Sequence, residues 1–200
     1  VYGWEVIWVA VTDLRSVFTL EQARAVGLRK DEVYDLLAAE EIERVGRGVY
    51  LRPGVIDERF VSLAAASALR SDATLCLTSA LAHHDLTDVI PFGTDIALPR
   101  GTRHPAGFDH VAWHSFATDT FTLGRETHQV APGVSTAIYS PERTIIDCFR
   151  LMHQEGSETA HEALRRWLRH QGSTPARLLR MADAFPKAKS RLRLALEVLL

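Results

Sequence analysis

Between Thr19 and Gly54 the chain spells, in order, a helix start, a turn residue, a second helix and a tight basic hairpin, and few folds accept that order. Thr19-Leu20-Glu21-Gln22 is a capping box: the threonine hydroxyl accepts a bond from the amide three residues on, and the glutamine side chain reaches back. Leu20, Ala23 and Val26 share one face of the short helix that follows, and Gly27 supplies the left-handed residue that ends it. A second helix is expected from about Arg29 to Glu41, with Val33, Leu36 and Leu37 spaced for burial. Residues 42–45 and 49–51 are β-favouring and flank Gly46-Arg47-Gly48, where either glycine suits the left-handed position of a three-residue hairpin loop. Pro53-Gly54 then breaks the chain. Helix, turn, helix, hairpin is the order of a winged helix-turn-helix, which sets a recognition helix at a DNA groove and lays the hairpin alongside the phosphates.

Beyond Pro53 the texture changes, and a boundary is expected there, with one domain over 1–54 and a second over 55–200. Residues 59–71 and 73–86 read as apolar helices. Residues 95–100, 110–116, 127–131 and 134–140 read as strands joined by Gly/Pro turns. Ser140, Pro141 and Glu142 then open a helix as cap, first helical residue and first-turn acid. Further helices are expected from Ser157 or Glu158 to about Arg169, after Thr174-Pro175, and from about Lys187 to the end. Strands followed by helices make the second domain α+β, larger than the first and ending in several helices.

The net charge of −2 divides unevenly: −2 over residues 1–54, −6 over 55–160 and +6 over 161–200. An acidic body with a basic end fits a polyanionic or acidic partner. In the basic end, Leu164, Leu168, Leu178, Leu179, Phe185, Leu192 and Leu196 are spaced to pack inward. That leaves Arg165, Arg166, Arg169, Arg177, Arg180, Lys187, Lys189, Arg191 and Arg193 outside. The candidate recognition helix is mixed in charge. Arg29 and Lys30 open it, and Asp31, Glu32 and Asp35 follow; the acids suit the helix dipole but repel phosphate. DNA contact should therefore rest on Arg29, Lys30 and the hairpin arginines.

Catalytic signatures are not found. There is no phosphate-binding Gly-rich loop, no nucleophile elbow and no His-Glu-x-x-His. Nine histidines fall in no ligand spacing: His83 and His84 are adjacent on a helix, and His110 and His114 are about 13 Å apart along a strand. No metal, cofactor or enzymatic activity is expected. Residues 101–107 (GTRHPAG) combine two glycines with two basic groups in an exposed turn, and Asp147 is expected to pair with Arg143 one helical turn earlier. Cys76 and Cys148, each inside an apolar segment and without a Cys-x-x-Cys, fit a reducing cytosol. Residues 6–11 are too short an apolar run for a signal peptide core or a membrane span, so a cytoplasmic protein is expected.

Several stretches together, FTLEQARAVGL, EIERVGRGVYL, SALAHHDL, YSPERTIIDCFR and ALRRWLRHQGSTPARLLRMADAFPKA, resemble an actinobacterial AbiEi-type antitoxin of a type IV toxin–antitoxin pair. The resemblance implies an N-terminal winged helix-turn-helix, repression of the chain's own promoter through inverted repeats in double-stranded DNA, and neutralisation of a nucleotidyltransferase-like toxin. The candidate DNA-contacting residues are then Gln22, Arg29, Lys30, Arg44, Arg47 and Arg52. Arg165, Arg166, Arg169, Arg177 and Arg180 form a second basic surface, for the toxin or its nucleic-acid substrate. Two rivals stand beside this: a stand-alone winged-helix regulator whose body binds a ligand or dimerises, and a nucleic-acid-processing enzyme delivered by a winged domain.

Overall fold

The computed structural model describes residues 14–200; the apolar run at 6–11 lies outside them. The chain is mixed α+β and divides into two compact units. One takes the chain up to Ala73 together with residues 103–111 and 127–136. The other takes 74–102, 112–126 and 137–200. The first unit therefore runs past Gly54, where the composition changes, and gathers two later segments.

The first unit opens with β1 (Val17–Thr19), then α1 (Leu20–Ala25), α2 (Lys30–Ala38), β2 (Glu43–Gly46), β3 (Val49–Leu51) and α3 (Glu58–Leu69). Thr19 and Gln22 form the expected capping box, and Gly27 has a φ of +91°. Val26 differs from expectation: as the residue that caps α1 it is exposed, while Ala23 is buried. The three strands pair antiparallel in the order β1-β3-β2, with Phe18 opposite Tyr50 and their rings 5.8 Å apart. Phe18, Ala23, Leu28, Val33, Leu36, Ile42 and Tyr50 make a shared core, so the helices and hairpin are one body. α3, capped by Asp57, turns Leu63, Ala64, Ala65 and Ala66 inward.

β4 (Thr74–Leu75) starts a five-stranded sheet of order β6-β5-β4-β8-β7, with β5 (Thr94–Pro99), β6 (Val111–Phe116), β7 (Arg125–Ala131) and β8 (Val134–Tyr139). β4 runs antiparallel to β5 and parallel to β8. The segment expected as one helix over 73–86 is thus a short strand followed by α4 (Leu77–His83). Ser140 then caps α5 (Pro141–Arg150) as expected, its hydroxyl accepting from the Arg143 amide at 3.3 Å. α6 (Met152–Glu155), α7 (Ser157–Arg169), α8 (Pro175–Met181) and α9 (Pro186–Leu199) complete the second unit. Its core joins Leu81, Tyr139, Ile145, Phe149, Leu164, Trp167, Leu178 and Leu192. Among the described residues no helix is long and apolar enough to cross a membrane, and none of the described His, Cys, Asp and Glu side chains gather in a metal-binding group of three.

Candidate nucleic-acid interface

β2 and β3 are joined by Arg47 and Gly48 alone, since Gly46 faces Val49 across the ladder. Gly48, with a φ of +75°, holds the left-handed position that disfavours residues with a side chain. The loop therefore has two residues rather than three. Arg47 is exposed at its tip, and the Leu20 amide donates to the Gly48 carbonyl at 3.2 Å, which fastens the start of α1 to the wing. Arg44 lies exposed on β2, its Nε donating to the Gly46 carbonyl at 3.4 Å. Across the ladder, burial pushes the Tyr50 hydroxyl up from its ordinary value. Tyr34 on α2 adds to that push and Arg44 opposes it. A side-chain hydrogen bond between Tyr34 and Tyr50 thus links α2 to the wing, and Tyr34 still presents an exposed aromatic face one turn after Lys30. Its place after two basic residues was visible in the sequence, but its tie to Tyr50 was not.

At the head of α2, Arg29 is 70% exposed yet already paired, at 3.0 Å from Asp31 and 3.4 Å from Glu32. Its amide also donates to the Glu32 carboxylate at 2.8 Å. A phosphate has to compete with these acids for the Arg29 guanidinium. Lys30 is exposed, with its ammonium 5.5 Å from the centre of the Tyr34 ring. Gln22 is half-buried, and its side-chain oxygen accepts from the Thr19 amide at 2.9 Å, so its carbonyl is committed to the helix start. Arg52 departs from the sequence expectation. Its guanidinium turns back to donate to the Leu14 carbonyl at 3.0 Å, and its Nε is buried, so the group holds the chain ahead of β1. The structure brings Arg29, Lys30, Arg44 and Arg47 to the surface of one unit and withdraws Arg52.

The second unit carries the other expected surface. Arg165, Arg169, Arg177 and Arg180 are exposed; Arg165 pairs with Glu162 at 2.9 Å and Arg177 with Glu142 at 3.4 Å. Arg166 is different. It grips both oxygens of Asp88 and also Glu162 at 2.9 Å, and only 26% of its side chain is exposed. Arg166 thus anchors the segment just after Asp88, where Val89, Ile90 and Phe92 stand out; Ile90 is 90% exposed and Phe92 fully so. That apolar loop beside a basic helix escaped sequence reasoning, because "DVIPF" has no periodicity and Asp88 meets Arg166 only in the fold. An apolar groove of about 540 Å³ also lies on this unit, lined in part by Phe149, Arg165, Arg191, Leu194 and Val198.

Asp147 pairs with Arg143 as expected, at 2.8 Å, and with Arg150 at 3.0 Å. Arg143 and Asp147 are fully buried, Arg143 donating further to the carbonyls of Thr120 and Leu123 at 2.6 Å each. The Arg143 guanidinium lies over the Tyr139 and Phe185 rings, at 4.3 and 4.7 Å from their centres. Burial pushes the Asp147 carboxyl up from its ordinary value, and the two guanidiniums pull against it. Every contact of this cluster is internal; its chemistry is that of a core fastening.

Residues 11–53 match the family model described as "Transcriptional regulator, AbiEi antitoxin". The matched segment covers both helices and the wing. No curated protein matches the chain.

Proposed function

We propose that the chain is an antitoxin-type transcriptional regulator, a cytoplasmic protein without catalytic activity. Its first unit grips double-stranded DNA at inverted repeats in its own promoter, and its second unit docks on an acidic face of the paired nucleotidyltransferase-like toxin. The observation that carries the DNA part is the two-residue wing, with exposed Arg47 at its tip and Arg44 on its strand, fastened through Tyr50 and Tyr34 to the helix headed by Arg29 and Lys30. Cations held on a rigid body release condensed counterions from DNA when they meet phosphates, so affinity falls with salt. Replacing Arg44 and Arg47 together by alanine is expected to weaken binding to every duplex and to reduce the salt slope by about one per lost phosphate contact. Unchanged affinity and slope would remove the wing from the interface.

Support for the partner part comes from the exposed Ile90 and Phe92 next to the cations of α7. Protein interfaces concentrate their energy in apolar and aromatic anchors ringed by polar groups, and charge sets which partner approaches. The exposed Arg165 and Arg169 of the same helix favour an acidic partner. Ile90→Asp with Phe92→Asp is expected to abolish rescue from the co-expressed toxin while leaving promoter binding unchanged. If rescue survives and the chain instead changes its oligomeric state, the loop serves a second copy, and the stand-alone regulator is the better account.

A further inference from the structure

The segment 101–107 looks like an idle loop in the sequence, but from residue 103 on it belongs to the same compact unit as the wing and touches it. Gly46 is buried, and a Cβ there would lie 2.7 and 2.9 Å from two atoms of the Phe108 ring. The ring rests directly on the wing backbone, and only glycine permits that approach. Gly107, at a φ of +81°, also comes close, since a Cβ there would lie 3.0 Å from the Arg47 nitrogen. Between them the Arg47 amide donates to the Ala106 carbonyl at 3.4 Å. Three contacts at Gly46 and Arg47 thus join the wing tip to Ala106, Gly107 and Phe108, some sixty positions later, within one compact unit.

We propose that residues 103–108 form a second DNA-contacting element beside the wing, with exposed Arg103 meeting a phosphate next to the one that Arg47 meets. This rests on the DNA reading of the wing and extends it beyond residue 53. Three physical points support it. Arg103 and Arg47 are both exposed, so the turn does not cover the wing's cation. Arg103 lies three positions before Ala106, so its Cα is at most about 11 Å from that of the residue that bonds Arg47. A DNA duplex carries one charge per about 1.7 Å of its axis, so cations at that spacing fall opposite several phosphates. His104, also exposed, places a second polar side chain on the same turn.

The test is a salt titration of the full chain on a random-sequence duplex and on the duplex upstream of its gene, for the native protein, Arg103→Ala and Arg47→Ala. Arg103→Ala is expected to weaken binding to both duplexes and to lower the slope by about one. The deficit should then shrink by about threefold to fourfold when the salt is raised fourfold. A Phe108→Ala variant, checked for native circular dichroism, removes the ring from Gly46. In that background the Arg103 substitution is expected to cost less, because the two cations are no longer held together. If Arg47→Ala weakens binding and Arg103→Ala does not, the second element is refuted and the wing stands. If neither has any effect, the DNA reading of the wing fails with it. If Arg103→Ala tightens binding, the turn shields the wing, and the proposal is overturned.

Discussion

Three charged residues decide the core of the larger unit. Arg143 and Asp147 are fully buried, and Arg150 closes on the same carboxylate. Taking such groups out of water is costly, and the cost is offset only while each has its partner. Asp147→Asn leaves Arg143 buried without a counter-charge, and we expect a loss of about 3–5 kcal/mol in a urea titration. Replacing Arg143, Asp147 and Arg150 together by apolar residues of similar volume should cost far less, because uncompensated charge carries most of the penalty. An Asp147→Asn chain as stable as the native one would show that the carboxylate is not needed there. The Arg143–Asp147 pair was legible because it repeats at one helical turn. Arg52 and Arg166 were not, because their partners lie 38 and 78 residues away and no local spacing reports them.

On the scale of elements, α7 is a helix with two kinds of cation. Arg165 and Arg169 are exposed and contribute little to stability, as surface charges generally do. Arg166 is structural, holding Asp88 at the foot of the apolar loop. Reversing all three to Glu, which sequence spacing alone would recommend as a harmless surface change, therefore mixes two effects. Arg165→Glu with Arg169→Glu is expected to keep the native urea midpoint and lose rescue from the toxin. Arg166→Glu places a third carboxylate beside Asp88 and Glu162, and limited proteolysis should then cut faster within residues 88–92. Equal cleavage in the native and Arg166→Glu chains would show that the ion pair does not hold the loop. The pair should also respond to acid. Arg166 holds the Asp88 carboxyl below its ordinary value. A lowered carboxyl contributes its stabilisation above the ordinary carboxylate range and loses it as pH falls through the lowered value. Faster cleavage on acidification should therefore begin only below that range.

The same scale separates what local spelling carries from what it does not. The capping box at Thr19, the stop at Gly27 and the Ser140-Pro141 start were readable because a few adjacent residues satisfy the helix ends. β1 and β4 have three and two residues, too few to show an alternation, and each is a strand only because a distant partner accepts its hydrogen bonds.

For the whole molecule, the separation of charge has a structural counterpart. The exposed wing cations belong to one compact unit, and the basic helices with the apolar loop belong to the other. The composition change at Pro53 marks the end of the matched regulator segment, but α3 and the turn at 103–108 join the same unit through contacts that no local pattern encodes. The central claim is that the first unit is a DNA-binding head. It is tested most directly by titrating the full chain against the duplex upstream of its own gene and against a random duplex, across a range of salt. The account predicts tighter binding to the upstream duplex, with log affinity falling linearly as log salt rises, by about 0.9 for each phosphate contacted. Equal affinity for both duplexes with no dependence on salt would contradict it.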